Sequence, residues 1–183
     1  MNLTGQIIVS MPSLEDERFF KTVIYMCAHS TEGSMGIIIN KKIDYDLYPD
    51  LLEQLGIEKP LDNKKLFIRY GGPIESGRGF VLHSDDMVRQ ETLNIDKGVA
   101  LTSTTEFFDD LSKGKGPKNS ILALGYAGWN PGQLELEIIQ NSWISLSVDT
   151  NFLFDDEVSH KWTEAYKLIG IDPSKLSFHS GRA

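Results

Sequence analysis

The sequence predicts an α+β fold, with helices placed irregularly around a mixed or antiparallel sheet. Three features lead there. Strand-like segments come in pairs across short turns, as Lys21–His29 and Met35–Asn40 do across Ser30–Ser34. Helical segments fall between strands without the strict alternation of a doubly wound parallel sheet. Ile37–Ile39 has no polar residue at alternate positions, the mark of a strand covered on both faces.

In chain order, Gln6–Ser10 is a short apolar strand that Met11-Pro12 ends, because proline cannot donate to the ladder. Ser13–Arg18 is a polar loop or helical turn. Lys21–His29 and Met35–Asn40 then form the hairpin. Asp46–Leu55 switches to helical spacing, with Leu47, Leu51, Leu52 and Leu55 on one face and Gly56 as its stop. Leu66–Tyr70 is a strand running into Gly71-Gly72-Pro73, and Gly79–His83 is another. Ser84–Leu93 reads as a polar loop and Gly98–Thr102 as a short strand. Ser103–Lys113 is a helix: Ser103 or Thr104 caps it, Glu106 stands at capping-box distance from Ser103, and Phe107, Phe108 and Leu111 form its apolar side. Asn119–Leu124 is a strand feeding the glycine-rich stretch Gly125–Gly132. Pro131 suits the first turn of the next helix, where Leu134, Ile138 and Ile139 face inward. Trp143–Val148 alternates as a strand. Asp155 or Asp156 caps a last helix, with Val158, Trp162, Ala165, Leu168 and Ile169 buried, His160 on the wet face and Gly170 at its end.

The 183 residues fit one domain, 1–183, and no linker or repeat divides them. A single cysteine, Cys27, excludes an intrachain disulfide and a multi-cysteine zinc site. No apolar run approaches the ~20 residues that span a bilayer, and the first residues lack the pattern of a signal peptide. The expectation is a cytoplasmic protein with no membrane partner. A formal net charge of −8 repels phosphate backbones, so direct nucleic-acid binding is disfavoured. The short basic runs Lys64-Lys65 and Lys113–Lys118 read as solvated turns.

Two glycine-bearing corners are the candidate site, and the expectation is that they meet in space. At the first, the amides around Gly71-Gly72-Pro73 with Arg78 suit an anion, because a guanidinium pairs with carboxylate or phosphate in a fixed fork. The competing reading is a tight turn with Arg78 paired to Glu75. At the second, Tyr126, Gly128 and Trp129 offer a stacking wall before a helix N-terminus. The competing reading is two aromatics locking the turn onto the core. The stretch lacks the ending of a phosphate loop and the dinucleotide fingerprint. Cys27 and His29, two apart on a strand, share a face, but spacing alone does not bring thiol and imidazole together. His83 before Ser84-Asp85-Asp86 fits a base, a metal ligand or a hydrogen-bonded structural histidine. Glu135 and Glu137 lie on different sides of their helix, a solvated face with one ion pair.

At these residues the sequence resembles the bacterial YqgE/AlgH family. The match runs nearly the whole chain, through Met11-Pro12, His29…Glu32-Gly33…Met35-Gly36…Asn40, Gly71-Gly72-Pro73, Arg78–His83 and Leu124–Trp129…Pro131–Glu135. Where the family closes on Gly-His-Ala, this chain has Gly181-Arg182-Ala183. The resemblance implies a barrel-like, bifurcated sheet surrounded by helices. It implies no secure enzyme activity. The family's name carries a role in transcriptional regulation of alginate production, while this sequence has no helix-turn-helix, zinc finger or basic recognition helix.

The combined reading is an uncharacterised, non-enzymatic binding or regulatory protein that acts on transcription indirectly, through a protein partner or a small anionic ligand. Its binding residues are Gly71, Gly72, Pro73, Arg78, His83, Tyr126, Gly128 and Trp129, with no catalytic residue, metal or cofactor assigned. The alternative is a small-molecule hydrolase or transferase using Gly71–Pro73 with Glu75, Arg78 and His83.

Overall fold

The computed structural model describes residues 2–43, 53, 68–96 and 98–176. Its strands are β1 (Ile7–Ser10), β2 (Val23–Ser30), β3 (Gly33–Ile38), β4 (Ile68–Tyr70), β5 (Ile74–Ser84), β6 (Leu93–Asp96), β7 (Val99–Thr102), β8 (Ser120–Trp129) and β9 (Trp143–Leu146). The helices are α1 (Thr105–Ser112), α2 (Gln133–Ile139), α3 (Thr150–Phe154) and α4 (Lys161–Leu168). The sheet order is β6-β7-β5-β8-β3-β2-β1-β9, with β4 attached to β8 off this path. Among the described residues all strand pairings are antiparallel except β4 with β8. The sheet is therefore mixed, as expected, but it does not close into a barrel: β6 and β9 are its two ends.

β8 is the branch point. Leu122–Leu124 pair with β5 along one edge and with β4 along the other. Further on, Ala127–Trp129 pair with Ser34–Gly36 of β3. One edge of β8 thus serves β4 and β3 in succession, and the sheet forks there.

Alternation along the central strands splits their side chains between two cores. Ile7, Tyr25, Ile37, Phe80 and Leu82 pack on one face with Trp162 and Tyr166 of α4. Ile8, Ile24, Met26 and Ile38 pack on the other with Trp129, Leu134 and Trp143. Burial on both faces is what the unbroken Ile37–Ile39 run predicts. A third cluster seats Phe107 and Phe108 of α1 on Val81, Leu122 and Leu124. α4 is also tied by polar bonds: Trp162 Nε1 and Tyr166 Oη donate to the Ser10 carbonyl at 2.9 and 3.0 Å.

Several expectations need correction. Leu93–Asp96 is a strand, a short edge whose polar alternation and exposure disguise it as loop. The segment after β9 folds first into α3, capped by Asp149, whose carboxylate accepts the Phe152 amide. The last helix starts only at Lys161, so neither Asp155 nor Asp156 caps it. Leu168 and Ile169 are exposed, as is Ile139 at the end of the short α2, where Leu134 and Ile138 supply the inward face. The Ser103–Glu106 capping box does not form; Thr104 is the N-cap and makes no side-chain cap bond. Pro131 and Gly132 make a turn ahead of α2, closed by Gln133 N–H to the Asn130 carbonyl at 3.0 Å. The predicted helix Asp46–Leu55 with its Gly56 stop, the Lys64-Lys65 run and the chain end at Arg182 lie outside the described residues, apart from Glu53.

Candidate functional site

The two glycine corners do meet. β4 and β5 flank opposite edges of β8, so the three-residue link Gly71–Pro73 between them must cross it. It crosses at Gly125 with almost no clearance. A Cβ on Gly72 would lie 2.1 Å from the Tyr126 carbonyl carbon, and one on Gly71 would lie 2.2 Å from the Gly125 oxygen. A Cβ on Gly125, whose φ is +69°, would lie 2.4 Å from the Gly72 oxygen. Glycine is required here so that one backbone can pass over another.

The crossing uses polar groups that an anion pocket would need. Gly71 N–H donates to the Leu124 carbonyl at 2.7 Å, and the Gly71 carbonyl accepts from Ile38 N–H at 2.9 Å. Pro73 has no N–H. Gly71 and Gly72 are buried.

Open space lies beside the crossing. Ala28, Met35 and Gly128 are register partners across β2, β3 and β8. This row of small or flexible side chains lines a cleft of about 540 Å³, with Ile74, Tyr126 and Trp129 also on its lining. A second cleft of about 280 Å³ shares Met35 and Tyr126 with the first and runs to Phe80, Arg78, Glu75 and Glu91. The two clefts adjoin at Met35 and Tyr126, which line both. Tyr126 is held from below by an edge-on contact with Phe80, centroids 5.6 Å apart. Acidic side chains dominate the rim of the clefts: Glu32 in the first cleft, Glu75 and Glu91 in the second.

Arg78 lines the smaller cleft but is already engaged. Its guanidinium donates to Glu75 Oε2 and Ser103 Oγ, each at 2.9 Å, and lies 5.1 Å from the Phe80 ring centroid. Glu75 takes a left-handed φ of +48°. His83 is elsewhere. On β5, Arg78 and Phe80 face one side of the sheet, while Val81 and His83 face the other. His83 is fully buried against Phe107, centroids 4.6 Å apart. Its Nδ1–H donates to the Ser84 carbonyl at 2.8 Å, so Nε2 accepts from Thr102 Oγ1 at 2.9 Å. Burial holds its pKa below the usual imidazole value. His83 is the hydrogen-bonded structural histidine of the sequence reading, and it does not converge with Arg78.

Trp129 reaches the first cleft with little of its surface. It packs edge-on to Trp143, and the two indole N–H groups donate to the same oxygen, Glu137 Oε2, at 2.9 and 2.7 Å. Glu137 is therefore a clamp on two tryptophans. Sequence periodicity could not show this, because the second indole comes from a different strand. In place of the expected ion pair, Glu135 accepts a hydrogen bond from His29 Nε2 at 2.9 Å, and the imidazole is neutral. His29 Nδ1 accepts the Leu3 amide at 2.9 Å, which places the imidazole hydrogen on Nε2. Cys27 and His29 do not share a face. A bulge between Met26 and Ala28 adds one residue to the strand, so Cys27 enters one core while His29 turns to the opposite side. Burial pushes the Cys27 thiol up to about 12.

The AlgH-like family model matches residues 7–174. The chain belongs to the AlgH-like family. A UPF0301 protein of Nitrobacter hamburgensis is 49% identical, with 99% of this chain and 88% of that protein covered. One from Rhodopseudomonas palustris strain HaA2 is 47% identical, with 99% and 87% covered. The solution structure of the AlgH protein from Pseudomonas aeruginosa superposes with a TM-score of 0.78 at 31% identity, covering 100% of this chain and 97% of that one. A crystal structure of a Corynebacterium diphtheriae protein shares the fold, with a TM-score of 0.67 at 20% identity over 91% of this chain and 86% of that one. In this AlgH-like chain no helix among the described residues is long and apolar enough to cross a membrane.

Proposed function

We propose that the chain is a cytoplasmic binding protein whose working surface is the double cleft at Met35 and Tyr126. The occupant is a segment of a protein partner carrying an apolar side chain next to a basic one. The observation that carries this is the lining itself. A floor of Ala28, Met35 and Gly128 can admit an apolar side chain, and methionine adapts to irregular partners. The rim of Glu32, Glu75 and Glu91 favours a cation. Arg78, paired to Glu75, then acts as a rim residue. Gly71, Gly72 and Pro73 support the surface from beneath by carrying the chain across β8. Any effect on transcription passes through that partner, since a chain of net charge −8 is poorly suited to a phosphate backbone.

A peptide-display screen on the intact protein tests the reading. The expected result is enrichment of sequences with an aliphatic or aromatic residue beside Lys or Arg. Ala28→Trp, which fills the cleft floor from an exposed position, abolishes the enrichment, and Glu75→Lys with Glu91→Lys removes the basic preference. Enrichment that ignores all three substitutions would remove the double cleft from consideration.

A further inference from the structure

A second concave surface has the opposite character. It lies where the segments flanking β2 and β3 meet the start of α4, encloses about 390 Å³, and is lined by Lys21, Asn40, Lys41, His160, Trp162 and Thr163 among others. Among the described residues every titratable side chain on its lining is a base, in a chain whose net charge is −8. Among the described residues neither Lys21 nor Lys41 forms an ion pair. Two acids stand near: Asp16 is paired with Arg18 at 2.7 Å while its charge also reaches Lys41, and Glu157 accepts the amide and hydroxyl of Ser159 while its charge reaches His160.

Three further features converge on the same space. Lys41 Nζ donates to the Arg18 carbonyl at 2.6 Å, which uses one of its three hydrogens. Lys21 is a non-glycine residue held at a left-handed φ of +47°. Asn40 secures that strained backbone, donating from Nδ2 to the Lys21 carbonyl and accepting the Val23 amide at Oδ1, each at 2.8 Å. The ammonium of Lys21 is thereby set 5.5 Å from the ring centroid of Trp162. Finally, α4 begins at this cleft: His160 is its N-cap with no side-chain cap bond, and His160, Trp162 and Thr163 line the space, which brings the positive end of the helix to it.

We propose that this cleft binds a small phosphate-bearing anion, held between the ammonium groups of Lys21 and Lys41 and the first turn of α4. Two ammonium groups act as point charges and, with helix amides, suit the tetrahedral arrangement of phosphate oxygens. Among the described residues no guanidinium fork that would select a planar carboxylate lines the cleft. The volume admits a ligand of small-metabolite size. The assignment is independent of the Met35–Tyr126 surface, which shares no lining residue with it.

Amide chemical shifts of the intact protein, followed during titration with inorganic phosphate and pyrophosphate at low ionic strength, test it. The expected result is saturable shifts at Lys21, Lys41 and 159–163, absent with sodium chloride at equal ionic strength and weaker with acetate. Lys41→Gln should weaken binding about tenfold, the share of one charge-assisted hydrogen bond. Lys21→Asn should do the same while keeping the fold, because asparagine tolerates a left-handed backbone; it carries the test alone if Lys41→Gln does not fold. Shifts that do not saturate, that chloride reproduces, or that survive both substitutions would overturn the site. An equal response to acetate would overturn the phosphate assignment.

Discussion

Gly125 and Gly128 stand three residues apart on β8 and are used in opposite ways. At Gly125 the missing side chain is filled by another stretch of backbone, with the Gly72 oxygen where a Cβ would sit. At Gly128 the missing side chain leaves room for Ile74 and Tyr126 to lean over and for a cleft floor to open. One glycine holds two strands together and the other makes a surface. The difference is in what lies opposite: backbone cannot yield, whereas the tip of an isoleucine can.

Substitution should separate the two. Gly125→Ala combines a left-handed φ with a backbone clash, and Gly72→Ala places a methyl inside the Tyr126 peptide. Each should cost about 4 kcal/mol or more, the range reached by few single substitutions. Urea unfolding checks it, and wild-type midpoints for both would refute the crossing. Next comes the clamp that fixes the wall beside Gly128. Glu137→Ala leaves two indole N–H groups without their acceptor and should cost about 2–3 kcal/mol, reduced by the carboxylate's partial exposure. Glu137→Gln retains an oxygen acceptor and should cost less. Equal losses would show that packing, not the shared oxygen, secures the tryptophans.

β5 offers a parallel contrast between buried His83 and exposed Arg78. Because the folded state holds His83 below the ordinary imidazole pKa of about 6.5, the unfolded chain takes up a proton first as pH falls. Stability should therefore decline from about pH 7 downward, above the carboxylate range, and the decline should shrink in His83→Gln. Melting temperatures across that window check the sign; an identical slope in the variant would exclude His83 as its source. Arg78→Ala should change stability by about 0–1 kcal/mol, as for other exposed ion pairs, and act instead on peptide selection. Gly128→Ala should be the mildest of the glycine changes. Its Cβ would meet Ile74 Cδ1 at 2.8 Å, a movable side-chain tip, so about 1 kcal/mol or less is expected.

Much of the architecture was legible in the chain. The hairpin from Val23 to Ile38, the helix bearing Phe107 and Phe108, and the strand into Gly125 all follow from periodicity and turn residues. Those signals are local, so neighbours in sequence carry them. The edge strand Leu93–Asp96 was hidden because half its residues are polar and its pairing partner supplies the order. Part of the candidate surface's geometry was legible in outline. The meeting of two glycine corners was expected, and Tyr126, Gly128, Trp129 and Arg78 do reach the clefts. Ala28 and Met35 were not expected, because the bulge after Met26 sets which side they face.

The sequence by itself determined the strand and helix content, the glycine corners and the acidic surface, since backbone freedom, hydrophobic period and net charge belong to residues taken singly or with near neighbours. Only the tertiary structure decided that Gly125 is sealed while Gly128 opens, that His83 and Arg78 part company, and that Lys21 and Lys41 face one cleft with α4. Those outcomes depend on which atoms arrive from distant parts of the chain, and steric contact and Coulomb energy are set by that arrival.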